Sequence, residues 1–349
     1  DAAKFRLPGS ELKEVLIPIE AFNVSVGLTD NLSMDTFYQF NFKETAVDPV
    51  GTYFSETDLF ADGGSAAYTD FTGTSLAAAI PGYNAFASAA NPFNGAAIAN
   101  GLYQNGANFS QGNILRVAEV GSDLNAKNDG QWGTSFKYVA EELNSTEFGA
   151  YFVNYHSKEP VISADLNGYT GVNILGAANA LNPALPGGLG AAIQAVGGFA
   201  TADILGATVA KREYVEDIRM YGLSFNTTLD ETSVFGELAY RPNNAVGIAT
   251  TNDLVGDLVL QGAQLADTSG VTGANAGTAV ISGSKISRSG EIHNYERVET
   301  FNTSLGAIQN FGGVLGFDAL FGVAELASEH YRGDSLQYID YTGKTRYYA

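Results

Sequence analysis

Between Asp217 and Asn243 the chain reads DIRMYGLSFNTTLDETSVFGELAYRPN. Tyr221, Leu223, Phe225 and Thr227 alternate with Met220, Gly222, Ser224 and Asn226. A turn follows at Leu229-Asp230-Glu231, and the return arm sets Val234, Gly236, Leu238 and Tyr240 against Ser233, Glu237, Ala239 and Arg241. Successive side chains of a strand point to opposite faces, so this stretch predicts a hairpin with one apolar and one polar face. Alternation over about ten residues is also the span of a tilted membrane strand.

The pattern recurs. Ala21 to Leu28 places Phe22, Val24, Val26 and Leu28 on one face, and Leu32 to Lys43 returns with Leu32, Met34, Thr36, Tyr38, Phe40 and Phe42. The aromatics gather at the far end of that second arm, like a girdle. Gln131 to Glu141 alternates Trp132, Thr134, Phe136 and Tyr138 with polar partners. It turns at Asn144-Ser145 and comes back through Thr146 to Ser157, where both faces carry aromatics. Asn294 to Gln309 and Gly313 to Glu325 give a fourth hairpin, with Phe301, Thr303, Leu305 and Ala307 on one face of its first arm. In its second arm Leu315, Phe317, Ala319, Phe321 and Val323 oppose Gly316, Asp318, Leu320, Gly322 and Ala324.

Within hairpins the turns take about two to four residues, the range of tight hairpins. Between hairpins lie three long inserts, 44–130, 158–216 and 244–292. Short turns at one end and long loops at the other are the asymmetry of outer-membrane barrels, whereas a soluble sandwich mixes its loop lengths. The predicted fold is all-β, an antiparallel transmembrane β-barrel of outer-membrane type over residues 1–349, with the inserts as long loops. Tyr221, Leu223, Phe225, Val234, Leu238 and Tyr240 are expected to face lipid, with Glu237 and Arg241 at the interior or rim. An eight-stranded barrel has an interior that side chains fill, and further strands would open a lumen.

Composition narrows the partners. The 349 residues carry 18 Lys+Arg against 38 Asp+Glu, a formal net charge of −20. That disfavours nucleic acid and a polybasic membrane-surface module. No cysteine is present, so disulfides and thiolate metal sites are excluded. No stretch reads as a transmembrane helix, so a membrane would have to be crossed by strands. The expected partners are a lipid bilayer with lipopolysaccharide and a hydrophobic small molecule.

The inserts are unusual. Residues 71–115 and 166–202 contain no Asp, Glu, Lys or Arg, although long surface loops of so acidic a chain should carry charge. The second stretch predicts two short apolar helices broken at Pro183 to Gly188, each too short to span a bilayer. Apolar segments of this size should not stand in water. They would plug the barrel, cap its mouth or pack on each other, and loop packing alone explains them as well as a binding role does. Phe86, Phe93, Tyr103, Leu175, Leu181, Leu185, Ile193 and Phe199 are the residues expected to line a mouth suited to hydrophobic solutes. The third insert, rich in Gly, Thr and Asp, is expected to be a solvated loop.

Asp35, Lys43, Lys137, Glu141, Glu237, Arg241 and Asp318 are the charges assigned inward. They would guide solute or simply fill the interior as a satisfied polar network. Glu56, Asp58 and Asp62 precede Gly63-Gly64 and offer oxygen ligands, but not at EF-hand spacing, so a solvated acidic loop is the preferred reading over calcium. Glu213, Glu216 and Asp217 beside Lys211, Arg212 and Arg219 read as rim ion pairs. The three histidines are not spaced as metal ligands. Ser282 and Lys285 make an S-x-x-K match without supporting motifs. No catalytic residue, metal or cofactor is expected.

Two extended stretches carry a family resemblance: PGSELKEVLIPIEAFNVSVGLTDNLSMDTFYQFNFKETAVDPVGTYFSETDLFADGG and EDIRMYGLSFNTTLDETSVFGELAYRPN. They resemble the domain-of-unknown-function 1302 family of proteobacterial outer-membrane proteins. The resemblance covers most of the chain and implies an outer-membrane barrel in a longer protein, with a signal peptide before and further strands after this piece. It implies no reaction, only an association with hydrophobic compounds. The expected function is therefore a passive outer-membrane channel or uptake protein for hydrophobic or amphipathic small molecules. The alternative is a structural or adhesive surface barrel whose loops meet a partner or like copies.

Overall fold

A computed structural model describes residues 2–55, 57–166, 168–247, 254–313, 316, 318–332, 337–339 and 344–347. Its largest element is an eight-stranded antiparallel sheet in which each strand pairs with the next in the chain. Its strands are β1 (Ala21–Gly27), β2 (Leu32–Gln39), β3 (Trp132–Ala140), β4 (Thr146–Tyr155), β5 (Ile218–Leu229), β6 (Thr232–Gly247), β7 (Tyr295–Gly312) and β8 (Leu320–Tyr331). The four predicted hairpins are present, and Leu223 pairs with Leu238 as their alternation requires. Asp230 and the pair Asn144 and Ser145 take positive φ at the turns, a conformation that Asn and Asp tolerate better than most residues.

All three inserts leave and re-enter at the same end of the sheet, and all four short turns lie at the other. The sheet does not close, because β1 and β8 are its edges and do not pair with each other. The antiparallel β architecture is thus as expected, and a closed barrel is not observed.

The last hairpin departs from expectation. Its second arm begins at Leu320 rather than Gly313, after a turn that contains Asp318. A register shift between Asn310 and Gly312 precedes it. Phe321 and Val323 consequently pair with Asn310 and Ile308, on the polar face. Leu315 and Phe317 lie outside the described residues.

The inserts fold together. Ala66–Asp70 and Ile114–Val120 from the first insert, Val161–Asp165 and Val209–Glu213 from the second, and Glu291–His293 from the third belong to one six-stranded sheet. Its central pair, Ile114–Val120 with Val209–Glu213, is parallel. Helices α1 (Ile80–Ala87), α2 (Asn94–Ala99), α3 (Ile174–Leu181), α4 (Gly188–Ala207) and α5 (Val255–Ala266) pack with it. They enclose one cluster that includes Tyr83, Leu102, Leu115, Ile162, Ile174, Phe199, Leu205 and Leu265. The inserts are therefore not separate loops, because each segment's apolar side chains find cover only against the other two.

Two helix expectations are corrected. The break at Pro183 to Gly188 is real, but α4 after it runs for 20 residues, long and apolar enough to cross a membrane by length and composition. Its residues Ala192, Val196, Phe199, Ala200, Ile204 and Leu205 are instead buried in the insert core. The third insert is not a solvated loop either. It supplies α5, whose Leu258 and Leu265 are buried, and the hairpin Thr278–Ile281 with Ser284–Ser287.

Candidate functional site

Two features have the character of functional surfaces. The first is the apolar face of the eight-stranded sheet. Directly paired residues share a face, so the register fixes its membership: Phe22, Tyr38 and Trp132 in β1 to β3, then Phe152, Tyr221, Tyr240, Phe301 and His330 in β4 to β8. Every strand thus contributes one aromatic ring to a row with one step of two residues, because Trp132 pairs with Asn154 and Phe152 with Thr134. Ring centroids are 4.9 Å apart for Trp132–Phe152, 5.1 Å for Phe152–Tyr221, 6.3 Å for Tyr221–Tyr240 and 4.7 Å for Tyr240–Phe301.

From this row to the short turns the face carries no Asp, Glu, Lys or Arg among the described residues. Charge begins just beyond the row, on the insert side, at Arg219 and at Glu299. Glu299 accepts hydrogen bonds from Tyr240 Oη (3.2 Å) and Arg332 Nη1 (2.6 Å). Among the described residues no protein layer lies over the face, and Leu223, Leu305 and Leu326 are 58%, 54% and 76% exposed. The rings of Phe136, Tyr138, Phe148 and Phe225 wall a shallow hollow of about 500 Å³ over Ala150 and Gly236. The six residues expected to face lipid all lie on this side, Leu238 included.

The opposite face is polar. Asp35, Lys137, Glu237 and Arg241 share it, in register with serines: Asp35 opposite Ser135, Lys137 opposite Ser33, and Glu237 between Ser224 and Ser304. Arg241 donates to Asn302 Oδ1 (2.8 Å) and Tyr155 Oη (3.2 Å). Aromatic rings lie across glycines of neighbouring strands, and a Cβ on Gly133 would come within 2.7 Å of the Phe37 ring. Such glycines let a sheet bend. The remaining three charges do not belong to this face of the sheet. Lys43 lies past β2 and donates to the Pro18 carbonyl (2.9 Å), Glu141 opens a 3-10 turn, and Asp318 stands exposed in the β7–β8 turn. The alternation ends with the strands, and these three lie just outside them.

The second feature is a groove of about 720 Å³ between α1, α4 and α5, lined by Ala78, Ala79, Leu185, Ile193, Ala195, Phe199, Val259 and Leu260 among others. Leu185, Ile193 and Phe199 are therefore brought together as expected. Phe86 stands behind them, 5.8 Å from the Phe199 ring and 6.3 Å from Phe93. The other three are elsewhere. Leu181 is fully buried, Tyr103 faces Tyr83 in the core, and Leu175 lies on the surface with its N–H on Ser269 Oγ. Small residues let the helices approach, since a Cβ on Gly198 would meet Ala79 and one on Gly197 would meet Ala263.

Beneath the groove sits a group that reading the uncharged stretches passed over by one residue. Asp203 is buried on α4 and accepts from Tyr169 Oη (2.9 Å), Tyr83 Oη (3.1 Å) and the Tyr103 N–H (3.0 Å). Burial drives its pKa up to about 6 against the opposing pull of these hydrogen bonds. The tyrosines bring a donor network to the acid, and nothing in their sequence spacing announces it.

At the junction of the two sheets His156 is fully buried. Its Nδ1 accepts the Asp217 N–H (3.0 Å) and its Nε2 donates to the Asp129 carbonyl (2.8 Å), which fixes the tautomer. Of the rim ion pairs, Arg212–Asp123 at 2.7 Å joins the second insert to the first, Lys211–Asp165 at 2.5 Å lies within the second, and Lys127–Asp217 at 2.7 Å ties the first insert to the start of β5. Lys127 holds the Asp217 carboxyl below the usual range. Ser282 is a turn residue whose hydroxyl donates to Asn294 Oδ1 (2.6 Å), and Lys285 pairs with Val280 in the same hairpin. Glu56 lies outside the described residues, and no group of three or more potential metal ligands occurs among those described.

The fold is thus an open antiparallel sheet with one bare apolar face and an α/β unit at one end. The chain belongs to the family described as "Protein of unknown function (DUF1302)", whose model matches residues 1–347. No curated protein and no solved structure matches it.

Proposed function

We propose that the eight-stranded sheet is wall of a transmembrane barrel in a Gram-negative outer membrane, and that the protein is a passive channel or uptake protein for hydrophobic or amphipathic small molecules. The observation that carries this reading is the aromatic row, with an uncharged band on one side of it and Arg219 and Glu299 immediately on the other. Amphipathic rings settle at the level of lipid headgroups, with apolar side chains toward the hydrocarbon and charge toward water. In β5 the band from Tyr221 to Leu229 runs eight residues, roughly 26 Å along the strand, or about 20 Å of height at the usual strand tilt, most of the apolar band of such barrels. The insert unit would stand at the extracellular end, against lipopolysaccharide, and its groove would receive solute. Lipid offers no partner to an open strand edge. The reading therefore requires β1 and β8 to be paired in the membrane, with further strands or with a second copy.

The single tryptophan, Trp132, lies in the row. With the full chain in vesicles, lipids brominated next to the headgroup should quench it more than lipids brominated near the chain ends. No quenching by either would remove the membrane reading. For uptake, vesicles with a lipopolysaccharide outer leaflet should admit a neutral hydrophobic dye faster when the protein is present. Quenching without faster entry would leave the wall and refute the channel.

A further inference from the structure

The groove between α1, α4 and α5 differs from a general greasy surface in its electrostatics. Its volume of about 720 Å³ is that of a small-molecule site, and clefts between helices are common places for one. Among the described residues no Lys, Arg or His lines it, nor any Asp or Glu; the polar groups in its lining are Ser75, Gln194, Thr201 and Thr272. The Thr201 hydroxyl is already used, donating to the Gly197 carbonyl at 3.0 Å. Thr272 donates from both its N–H and its hydroxyl to Asp267 Oδ2 (2.9 and 2.8 Å). Burial works to raise the Asp267 pKa, but hydrogen bonds from Ser269 and Thr272 outweigh it and keep this carboxylate ionised. Charges of both signs therefore stand behind that wall, since Arg288 donates to the Asp267 carbonyl (2.9 Å), but no cation lies among the described residues that line the groove.

An anionic headgroup entering this groove would lose water and gain only neutral donors, Ser75 and Gln194, with no cation to offset its charge, which is costly. A neutral molecule meets only apolar walls and neutral rim groups. We infer that the groove binds neutral apolar molecules, such as long-chain alcohols or hydrocarbons, and rejects carboxylates of the same chain length. The inference deepens the uptake reading by giving it a substrate class, and it rests on that reading for its biological sense.

The test uses the full chain held in an amphipathic polymer, with N-phenyl-1-naphthylamine as a neutral fluorescent probe. Saturable binding at one site is expected, displaced by decanol at a concentration about tenfold or more below that needed for decanoate. Ala195→Trp, which fills the groove, should abolish saturable binding. Because that change could disturb helix packing, Ala78→Lys provides the second arm. Ala78 is exposed at the groove wall, and a cation there should make decanoate compete as well as or better than decanol, a gain that misfolding does not produce. Equal displacement by alcohol and carboxylate in the natural chain would overturn the inference, as would probe binding untouched by Ala195→Trp or a selectivity unmoved by Ala78→Lys. Selective binding without dye entry into vesicles would sink uptake and spare the groove. Dye entry without such binding would do the reverse.

Discussion

The two parts of this chain handle apolar side chains in opposite ways. In the insert unit Tyr83, Phe199, Leu205 and Leu265 are sealed inside, together with a carboxylate and its tyrosine donors. In the eight-stranded sheet Leu223, Leu305 and Leu326 stand outside in a band without charge, with Glu237 and Arg241 on the other face. Both parts are rich in Ala, Gly and aromatics, so composition does not separate them. The difference is one of cover: the insert unit closes over its apolar side chains, whereas the described residues leave the sheet's apolar face bare. An exposed apolar area this large on a protein that stayed in water would drive association.

Four substitutions sharpen or break that comparison. The largest effect is expected in the insert core. Phe199→Ala should cost about 3–5 kcal/mol of insert-unit stability, the usual loss for a buried ring, while the sheet's spectroscopic signature in vesicles persists. Loss of both together, followed by circular dichroism and protease protection, would show the two parts to be one cooperative unit. Next, Leu223→Arg in the middle of the apolar band should cost about 2–4 kcal/mol in a bilayer. Ser224→Arg on the polar face should change stability far less. Equal costs in a denaturant titration from vesicles would break the assignment of faces.

The smallest effect concerns Asp203, and its sign is specific. Its pKa is near 6 when folded and near 3.9 in an unfolded chain. Between these values the folded state holds more protons, so this group lowers stability as pH rises through that window and has no further effect above it. The total is about 3 kcal/mol or less. Asp203→Asn should remove this slope, seen as the difference between the two proteins' unfolding midpoints from pH 4 to pH 7. Parallel pH profiles would show that the carboxyl is not titrating as its surroundings require.

The sheet was legible because period-two alternation is a local property, and pairing partners are also neighbours in sequence. Tyr221, Leu223 and Leu238 could be assigned a face from the stretch around them alone. The reading failed where a hairpin departed from a simple turn: the register shift at Asn310 moved Phe321 and Val323 to the polar face and Asp318 into the turn. In the insert unit the strands are short; Val161–Asp165 and Val209–Glu213 have five residues each, and their partners come from distant segments. Helix α4 was hidden by Gly188, Gly190, Gly197, Gly198 and Gly206, which lower helix propensity but let neighbouring helices come close. The absence of charge drew attention to the region where Leu185, Ile193 and Phe199 line one groove. Which of the eight chosen apolar residues would line the groove and which would be core depended on packing across inserts.

The interleaving of the six-stranded sheet also has a consequence for how the chain is made. The parallel pair joins Glu119 to Val209, and the last strand, Glu291–His293, pairs with Ser163 to Asp165. No insert can finish its own sheet, and loops of this length must close before the contacts form, which slows folding. During synthesis the strand Ile114–Val120, which begins at the end of the first uncharged stretch, must wait for roughly a hundred further residues before Val209–Glu213 exists. Such a segment is prone to aggregate while it waits, so the protein should depend heavily on holding chaperones along its route. The feature that gives the mature unit its sealed core makes the nascent chain vulnerable.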